Sequence, residues 1–374
     1  MSIVPLRSNL ISKPCQETQN VQTSQNPERQ VPEALHPDCN SYARQKSPGH
    51  AHARRHPPLA VPCYSPLKAY RPLSDLDGGR LVFNAQKAKN PDNPTTVPCG
   101  QCIGCRVDRS RDWAMRCYHE AQMHPLNTFI NLTFNDEHLP EDYSVHVKTW
   151  QLFMYKLRQS LPQKIRFFAC GEYGDLNLRP HYHALIFNHI FPDQKFYKKT
   201  PQQHNLYTSE TLTALWGHGF CTIGDVNYQS AAYVARYIMK KINGHKSVEH
   251  YTRIHPLTGK PVTCEPEFCV QSRRPGIGAT WFDKFKSDAF PSDFLIVDGK
   301  KHPVPKFYLR KLQKEEPPAP TSTYFKEQRA LESNRIKRAR HVNALPRKAD
   351  NTPERLAVRE IIKKSKLKTL KREL

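Results

Sequence analysis

The chain has 374 residues, enough for one large domain or two ordinary ones, although 38% hydrophobic residues and 32 prolines indicate that part of it joins no core. It carries 57 Lys and Arg against 34 Asp and Glu, and this formal net charge of +23 indicates a polyanionic partner rather than a small neutral metabolite. No stretch approaches the roughly 20 apolar residues of a membrane span, and the first residues lack the apolar run of a signal peptide, so we expect a cytosolic protein with no membrane partner.

The two ends of the chain differ in composition from its middle. Residues 1–97 are rich in proline without a sustained period of 2 or 3.6, which predicts a low-complexity, largely disordered region. Residues 291–374 are predicted to form a basic tail, since 19 Lys and Arg face 8 Asp and Glu from residue 310 onward. Such a tail binds phosphate backbones without reading sequence, and the alternative is a solvated tail that serves solubility. Residues 98–290 then form the folded domain.

The middle of the chain shows a regular order of predicted elements. Periodicity and composition predict a helix at 108–123, a strand at 127–134, a helix at 147–161, strands at 165–172 and 181–187, a helix at 209–215, a strand at 220–226 and a helix at 229–242. The order β-α-β-β-α-β followed by a helix predicts an α+β fold of the split-βαβ (RRM/ferredoxin-like) type with an antiparallel sheet. We expect helices on one face of this sheet and a free ligand face opposite.

The predicted hairpin carries a candidate metal site. His181 and His183 are two residues apart in a strand and therefore project from one face. A symmetric hairpin sets Glu172 directly opposite His181, where paired Cβ atoms are about 5 Å apart. Two imidazoles and a carboxylate suit Mg²⁺ or Mn²⁺, and Zn²⁺ also accepts them. The same register brings Cys170 opposite His183, which would favour a softer metal.

The last predicted helix carries two candidate nucleophiles. Tyr233 and Tyr237 are four residues apart, and Lys240 shares their face. A separate apolar stripe on this helix, which indicates that the tyrosines are not needed for the core, consists of Ala231, Val234, Ile238 and Ile242. A phenol becomes a competent nucleophile if Lys240 favours the phenolate and a metal polarises the phosphorus. The alternative is a pair of half-exposed aromatic residues beside the helix core.

A cysteine cluster precedes the first predicted helix. Cys99, Cys102 and Cys105 form a CxxCxxC motif, and Cys117 follows twelve residues later. Four thiolates would make a closed structural Zn²⁺ site, while reduced cysteines packed under the sheet and an iron–sulfur cluster are the alternatives. A DNA-facing helix surface is predicted from the neighbouring residues Arg106, Arg109, Arg111, Trp113 and Arg116.

Four separated motifs resemble a known family. The strand FINLTF, HYH preceded by Glu172, and YVARYIMK resemble the three motifs of HUH endonucleases, the rolling-circle replication initiators. Together with PCGQCIGCRVDRSRDWAMRCYHEA, they are most similar to the replication initiation proteins of gokushovirus-type microviruses, which are small single-stranded DNA bacteriophages. The similarity covers residues 98–278.

The resemblance implies a function and residue roles. It implies His181, His183 and Glu172 as metal ligands, Tyr233 and Tyr237 as nucleophiles, and Lys240 as the lysine of the tyrosine motif. The implied reaction is cleavage of single-stranded DNA at a phage origin through a 5′-phosphotyrosine, followed by rejoining. Host polymerase and helicase in the bacterial cytoplasm are the implied partners. The residues alone leave two rivals, a metal-dependent nuclease without a covalent tyrosine and a non-enzymatic zinc-dependent nucleic-acid-binding protein.

Overall fold

The predicted order of strands and helices is present in the computed structural model, and the fold is of the α+β class. The structure describes residues 62–73, 80–175, 177–241, 246–314, 335–336, 338–339 and 351–369. The predicted disorder of residues 1–61 and most of the predicted tail, at 315–334 and 341–350, lie outside the described residues.

The regular elements are numbered along the chain. The strands are Leu67–Ala69 (β1), Thr95–Val97 (β2), Asn127–Thr133 (β3), Arg166–Tyr173 (β4), Pro180–Phe187 (β5), Lys195–Lys199 (β6), Asn205–Thr208 (β7), Cys221–Gly224 (β8), Thr252–Ile254 (β9), Pro261–Thr263 (β10), Phe268–Gln271 (β11), Phe294–Val297 (β12) and Lys300–Pro303 (β13). The α-helices are Ile103–Gln122 (α1), Val147–Gln159 (α2), Glu210–Trp216 (α3), Tyr228–Arg236 (α4), Lys246–Tyr251 (α5), Ala279–Ala289 (α6), Lys306–Lys314 (α7) and Pro353–Lys368 (α8). Single 3-10 turns cover Ala85–Lys87 and Tyr237–Met239.

Seven strands form one antiparallel sheet in the order β11-β4-β5-β3-β8-β7-β6. Its four central strands, β4-β5-β3-β8, have the order and the antiparallel pairing of the split-βαβ fold. Almost every residue of β5 is buried. Such continuous burial requires cover on both faces, because a sheet with one free face alternates buried and exposed side chains.

Helices cover both faces of the sheet. On one face, Trp150 of α2 and Trp216 of α3 pack in a core with Tyr182 of β5. On the opposite face, α1 and α4 pack over Phe168 and Leu185. The prediction that helices cover one face and leave the other free is therefore wrong, and a ligand must approach where the α4 side of the sheet ends.

The structure moves the predicted domain boundaries outward on both sides. Within residues 1–97, β1 pairs with β2, so the segment from residue 62 contains regular structure that its proline content concealed. Within residues 291–374, the β12–β13 hairpin and α7 bury Leu295 and Tyr308 in a core shared with Met115 of α1. These segments belong to the fold rather than to a disordered region or a tail.

Helix α8 is also part of the fold. Thr352 caps its N-terminus by accepting a hydrogen bond from the Arg355 N–H, and Leu356 is 4% exposed. The helix contacts α1. In the part of the chain that the structure describes, no helix has the length and apolar character needed to span a bilayer.

Candidate metal and tyrosine site

The hairpin of β4 and β5 brings the predicted metal ligands together. Glu172 pairs with His181 and Cys170 pairs with His183, so the predicted register is confirmed. Directly paired residues and residues two apart share a face, which places the carboxylate and both imidazoles on the α4 side. Tyr182 projects to the other face and belongs to the core under α2 and α3.

The three ligand groups are close and shielded from solvent. The Glu172 Oε1 atom lies 2.8 Å from Nε2 of His181 and 3.0 Å from Nε2 of His183. Glu172 and His183 are 2% and 3% exposed. Adjacent ligands of an octahedral ion with bonds of 2.0–2.1 Å are about 3 Å apart, so this spacing suits Mg²⁺ or Mn²⁺.

The hydrogen-bond partners of His181 fit a cation site. Its Nδ1 lies 2.9 Å from the Arg179 carbonyl oxygen, which only accepts, so Nδ1 carries the proton. In the neutral ring, Nε2 then has a lone pair that faces the Glu172 Oε1 atom, another acceptor. A cation between the two acceptors resolves this conflict. A histidine that donates its second ring N–H to a backbone carbonyl is also the common arrangement of metal-binding histidines.

The protonation states favour the same conclusion. Burial raises the pKa of Glu172, but hydrogen bonds from His181 and His183 outweigh burial and hold that pKa well below its usual range. Burial lowers the pKa of His183 to about 4. At neutral pH the carboxylate is thus ionised and the His183 ring neutral, the forms that bind metals. Cys170 is not part of this group: it is fully buried, and its thiol donates to the His183 carbonyl.

Both tyrosines contact one of the candidate ligands. Tyr233 lies in α4, which Asn227 and Ser230 cap through a reciprocal capping box, and Tyr237 begins the 3-10 turn that follows. The Tyr237 ring stacks on His183 with centroids 4.9 Å apart. Tyr233 meets the same imidazole edge to face at 5.1 Å. The sequence spacing is thereby converted into two phenols around one histidine.

The burial of the tyrosine helix differs in part from the prediction. Ala231 and Val234 are fully buried as the apolar stripe requires, while Ile242 lies outside the described residues. Tyr237 is only 7% exposed and belongs to the core cluster between α4 and the sheet. The prediction that the tyrosines stand apart from the core is therefore wrong for Tyr237.

Lys240 bonds to the ligand carboxylate. Its Nζ donates to the Glu172 Oε2 atom at 2.6 Å, to Asp175 Oδ1 at 3.0 Å and to the Tyr173 carbonyl at 3.2 Å, and an ammonium has three donors. It reaches Tyr237 across the ring face, 5.0 Å from the centroid. Lys240 thus balances the charge of Glu172 instead of hydrogen-bonding a phenol. Burial, followed by the Glu172 charge, raises the pKa of Tyr237, and the phenol stays protonated at neutral pH.

The site opens into a cleft of about 520 Å³, a volume typical of ligand sites. Besides the predicted residues, the cleft is lined by four polar residues that sequence reasoning missed: Thr133, Asp175, Asn177 and Arg179. Thr133 pairs with His181 across β3 and β5, a long-range pairing that no local pattern reveals. The alternation of strand residues gave a signal for Arg179, which is two residues before His181.

A second group, of four cysteines, corrects the predicted cluster. The sulfur atoms of Cys63, Cys99, Cys102 and Cys105 lie within 4.8 Å of one another. Cys117 is not among them, because it lies on the inner face of α1, fully buried against the sheet. The prediction of Cys117 as the fourth member is wrong, and Cys63, which has no informative sequence spacing, takes that position.

The predicted DNA-facing surface of α1 also needs a correction. The guanidinium of Arg116 lies between the rings of Trp113 and Phe307, 3.9 and 4.0 Å from their centroids. Its Nε donates to the Ile277 carbonyl, and the residue is 8% exposed. Arg116 therefore fixes α1 to its neighbours and does not face DNA.

Comparison with known proteins agrees with this site. Residues 127–242, which contain β3, the hairpin and both tyrosines, match the family model for replication-associated proteins of the ORF2 type. Replication-associated protein VP4 of Bdellovibrio phage phiMH2K is 32% identical over 68% of this chain and 78% of the relative. Replication-associated protein ORF2 of Spiroplasma virus 4 is 30% identical over 70% and 80%, and replication-associated protein ORF4 of Chlamydia phage 1 is 25% identical over 68% and 62%. No solved structure matches the chain. The chain belongs to the family of phage replication-associated proteins, the gokushovirus-type replication initiators.

Proposed function

We propose that this protein is an HUH-type endonuclease that nicks and rejoins single-stranded phage DNA to start rolling-circle replication. The observation that carries the proposal is the position of two tyrosine rings on His183, whose Nε2 shares one carboxylate oxygen with His181 beside an open cleft. A metal ligand group and two nucleophiles at one cleft are what a phosphodiester transesterase needs.

Glu172, His181 and His183 are the residues that hold the divalent ion in this proposal. Mg²⁺ or Mn²⁺ bound there would withdraw charge from the scissile phosphate and make its phosphorus more electrophilic. The protein contributes an ionised carboxylate, two imidazole nitrogens and the Arg179 carbonyl that orients one ring. Lys240 neutralises the second carboxylate oxygen, so that the site tolerates burial of this charge.

A tyrosine hydroxyl carries out the cleavage. Its oxygen attacks the phosphorus, the O–P bond forms while the bond from phosphorus to the 3′ oxygen breaks, and the 3′ oxygen takes up a proton in place of the one that the phenol gives up. The products are a 5′-phosphotyrosine and a free 3′ hydroxyl. The exchange replaces one phosphoester by another, so the reverse attack by a 3′ hydroxyl rejoins DNA without an external energy source.

The second tyrosine permits repeated cycles. The rings of Tyr233 and Tyr237 are 5.2 Å apart and contact the same imidazole, so each hydroxyl can be brought to the same phosphate by a small movement of flexible DNA. One tyrosine holds the old 5′ end while the other cuts the regenerated origin. The free 3′ hydroxyl serves host polymerase, with helicase as the second expected partner, in the cytoplasm of the host bacterium.

The proposal is tested with single-stranded oligonucleotides that tile the phage genome, labelled at their 3′ ends and incubated with the protein and Mn²⁺. We expect one oligonucleotide to give a labelled band that stays attached to protein in a denaturing gel, because the tyrosine retains the downstream fragment. Tyr233→Phe and Tyr237→Phe should each keep some single cleavage but fail at repeated cycles, and the double variant should form no adduct. Tyr228→Phe, on the same helix but bonded to His302, is the matched control and should behave as wild type.

Two outcomes would contradict the proposal. Cleavage without an adduct identifies a metal-dependent nuclease without a covalent tyrosine. Binding without cleavage of any oligonucleotide identifies a non-enzymatic nucleic-acid-binding protein.

A further inference from the structure

Four half-buried cysteine thiols converge where the N-terminal segment meets the start of α1. Cys63 precedes β1, Cys99 follows β2, Cys102 is the N-cap of α1, and Cys105 lies in its first turn. Their sulfur atoms all lie within 4.8 Å of one another, although 36 residues separate Cys63 from Cys99. The proposed DNA cleavage uses none of them.

The sulfur spacing distinguishes the possible states of these thiols. The Cys63 and Cys102 sulfurs are 3.8 Å apart, whereas a disulfide requires about 2.05 Å. Four thiolates around one Zn²⁺ with Zn–S bonds of about 2.3 Å form a tetrahedron with edges of about 3.8 Å. The observed spacing thus equals the edge of a tetrahedral zinc–thiolate site.

Backbone N–H groups point at the sulfurs. Cys99 N–H donates to the Cys63 sulfur at 3.2 Å, Cys102 N–H to the Cys99 sulfur at 3.3 Å, and Tyr64 N–H to the Cys102 sulfur at 3.3 Å. A neutral thiol is a weak acceptor, while a thiolate gains from each such donor. Gly100 has a φ of +77°, and this left-handed turn returns the chain so that the Cys102 N–H faces Cys99.

Gly104 allows the fourth cysteine to reach the group. A Cβ atom at this position would lie 2.1 Å from the Pro62 carbonyl oxygen and 3.0 Å from the Tyr64 ring. Any larger residue must push the segment that carries Cys63 away from α1. The close approach of these two backbones is therefore built into the sequence at Gly104.

We propose that Cys63, Cys99, Cys102 and Cys105 bind one structural Zn²⁺ ion that ties the segment before β1 to the first turn of α1. With four protein ligands such a site is closed, so the ion has a structural and not a catalytic role. The tie extends to the tyrosine region, because Arg106 in the next helical turn donates to the Lys241 carbonyl at 2.9 Å. The ion thus holds the start of α1 beside the residue that follows Lys240.

The test measures metal content in the full-length protein purified without chelator. We expect one zinc per chain in wild type and in a His181→Ala/His183→Ala variant, which separates this site from the proposed catalytic one. Cys63→Ser should lose the zinc, whereas Cys117→Ala should keep it. Co²⁺ exchanged into wild type should give the visible absorption of a tetrahedral thiolate site, and this absorption should be lost in Cys63→Ser.

Measurements on wild type keep the proposal testable if the cysteine variant does not fold. Titration with a thiol-reactive reagent should release one zinc per chain as four thiols are modified, and Gly104→Ala should release it at lower reagent concentration. Absence of zinc, stoichiometric iron in its place, two disulfides by mass, or loss of the ion in Cys117→Ala but not in Cys63→Ser would each overturn the proposal.

Discussion

Glu172→Gln should abolish the stabilisation of the protein by Mn²⁺. The carboxylate is 2% exposed, and its Oε1 atom lies within 3.0 Å of both histidine nitrogens, so the amide removes the charge and the oxygen that complete the ligand group. An ion that binds only the folded state at 100 times its Kd stabilises it by about 2.7 kcal/mol. For a domain of this size each kcal/mol corresponds to about 2–4 °C, so Mn²⁺ should raise the Tm of wild type by about 5–11 °C.

The assay is thermal unfolding with and without Mn²⁺, which requires no DNA and no knowledge of the origin. Asp175→Asn is the matched control, because Asp175 also accepts a hydrogen bond from Lys240 but is 42% exposed at its side chain and is not in the ligand group. We expect the control to keep the full shift and Glu172→Gln to keep almost none. Equal shifts in wild type and Glu172→Gln, or loss of the shift in Asp175→Asn alone, would refute the assigned ligand group.

Three further predictions concern other parts of the fold. Arg116→Met should lower the free energy of unfolding by about 2–3 kcal/mol in urea denaturation, because it removes a buried guanidinium held by two rings and a carbonyl, and an unchanged stability would contradict its structural role. Lys366→Gln with Lys368→Gln, both exposed on α8, should reduce the slope of log K against log salt for single-stranded DNA by up to about 1.4, since each phosphate contact contributes about 0.7; an unchanged slope would show that α8 does not contact DNA. Burial lowers the pKa of His119 to about 3, so the unfolded chain binds the proton more readily and stability falls by about 2 kcal/mol from pH 7 to pH 5; His119→Gln should flatten this dependence in denaturation at the two pH values.

The hairpin site could be predicted because its determinants are local. Alternation of side chains fixes the shared face of His181 and His183, and a short turn fixes Glu172 opposite His181. The helix spacing of Tyr233 and Tyr237 is local as well. What the spacing could not reveal is the partner of each group, since the stacking of Tyr237 on His183 and the bond from Lys240 to Glu172 depend on how α4 packs on the sheet.

The errors concern residues whose environment is set by distant segments. Arg116 is buried by Phe307 of α7, far along the chain in a region predicted as a tail. Cys63 enters the cysteine group because Gly104 admits the Pro62 backbone, a contact without a sequence period. Composition identified residues 62–97 as low in complexity, but short paired strands need little hydrophobic sequence when their neighbours supply the packing.

Identification of the residue that carries DNA tests the central claim most directly. After reaction with single-stranded origin DNA and Mn²⁺, nuclease digestion and proteolysis should leave a peptide with a nucleotide linked through its 5′ phosphate to Tyr233 or Tyr237, detectable by mass spectrometry. The account predicts this adduct in wild type and its absence in the Tyr233→Phe/Tyr237→Phe variant. Cleaved DNA with no modified peptide, or a nucleotide attached to any other residue, would contradict it.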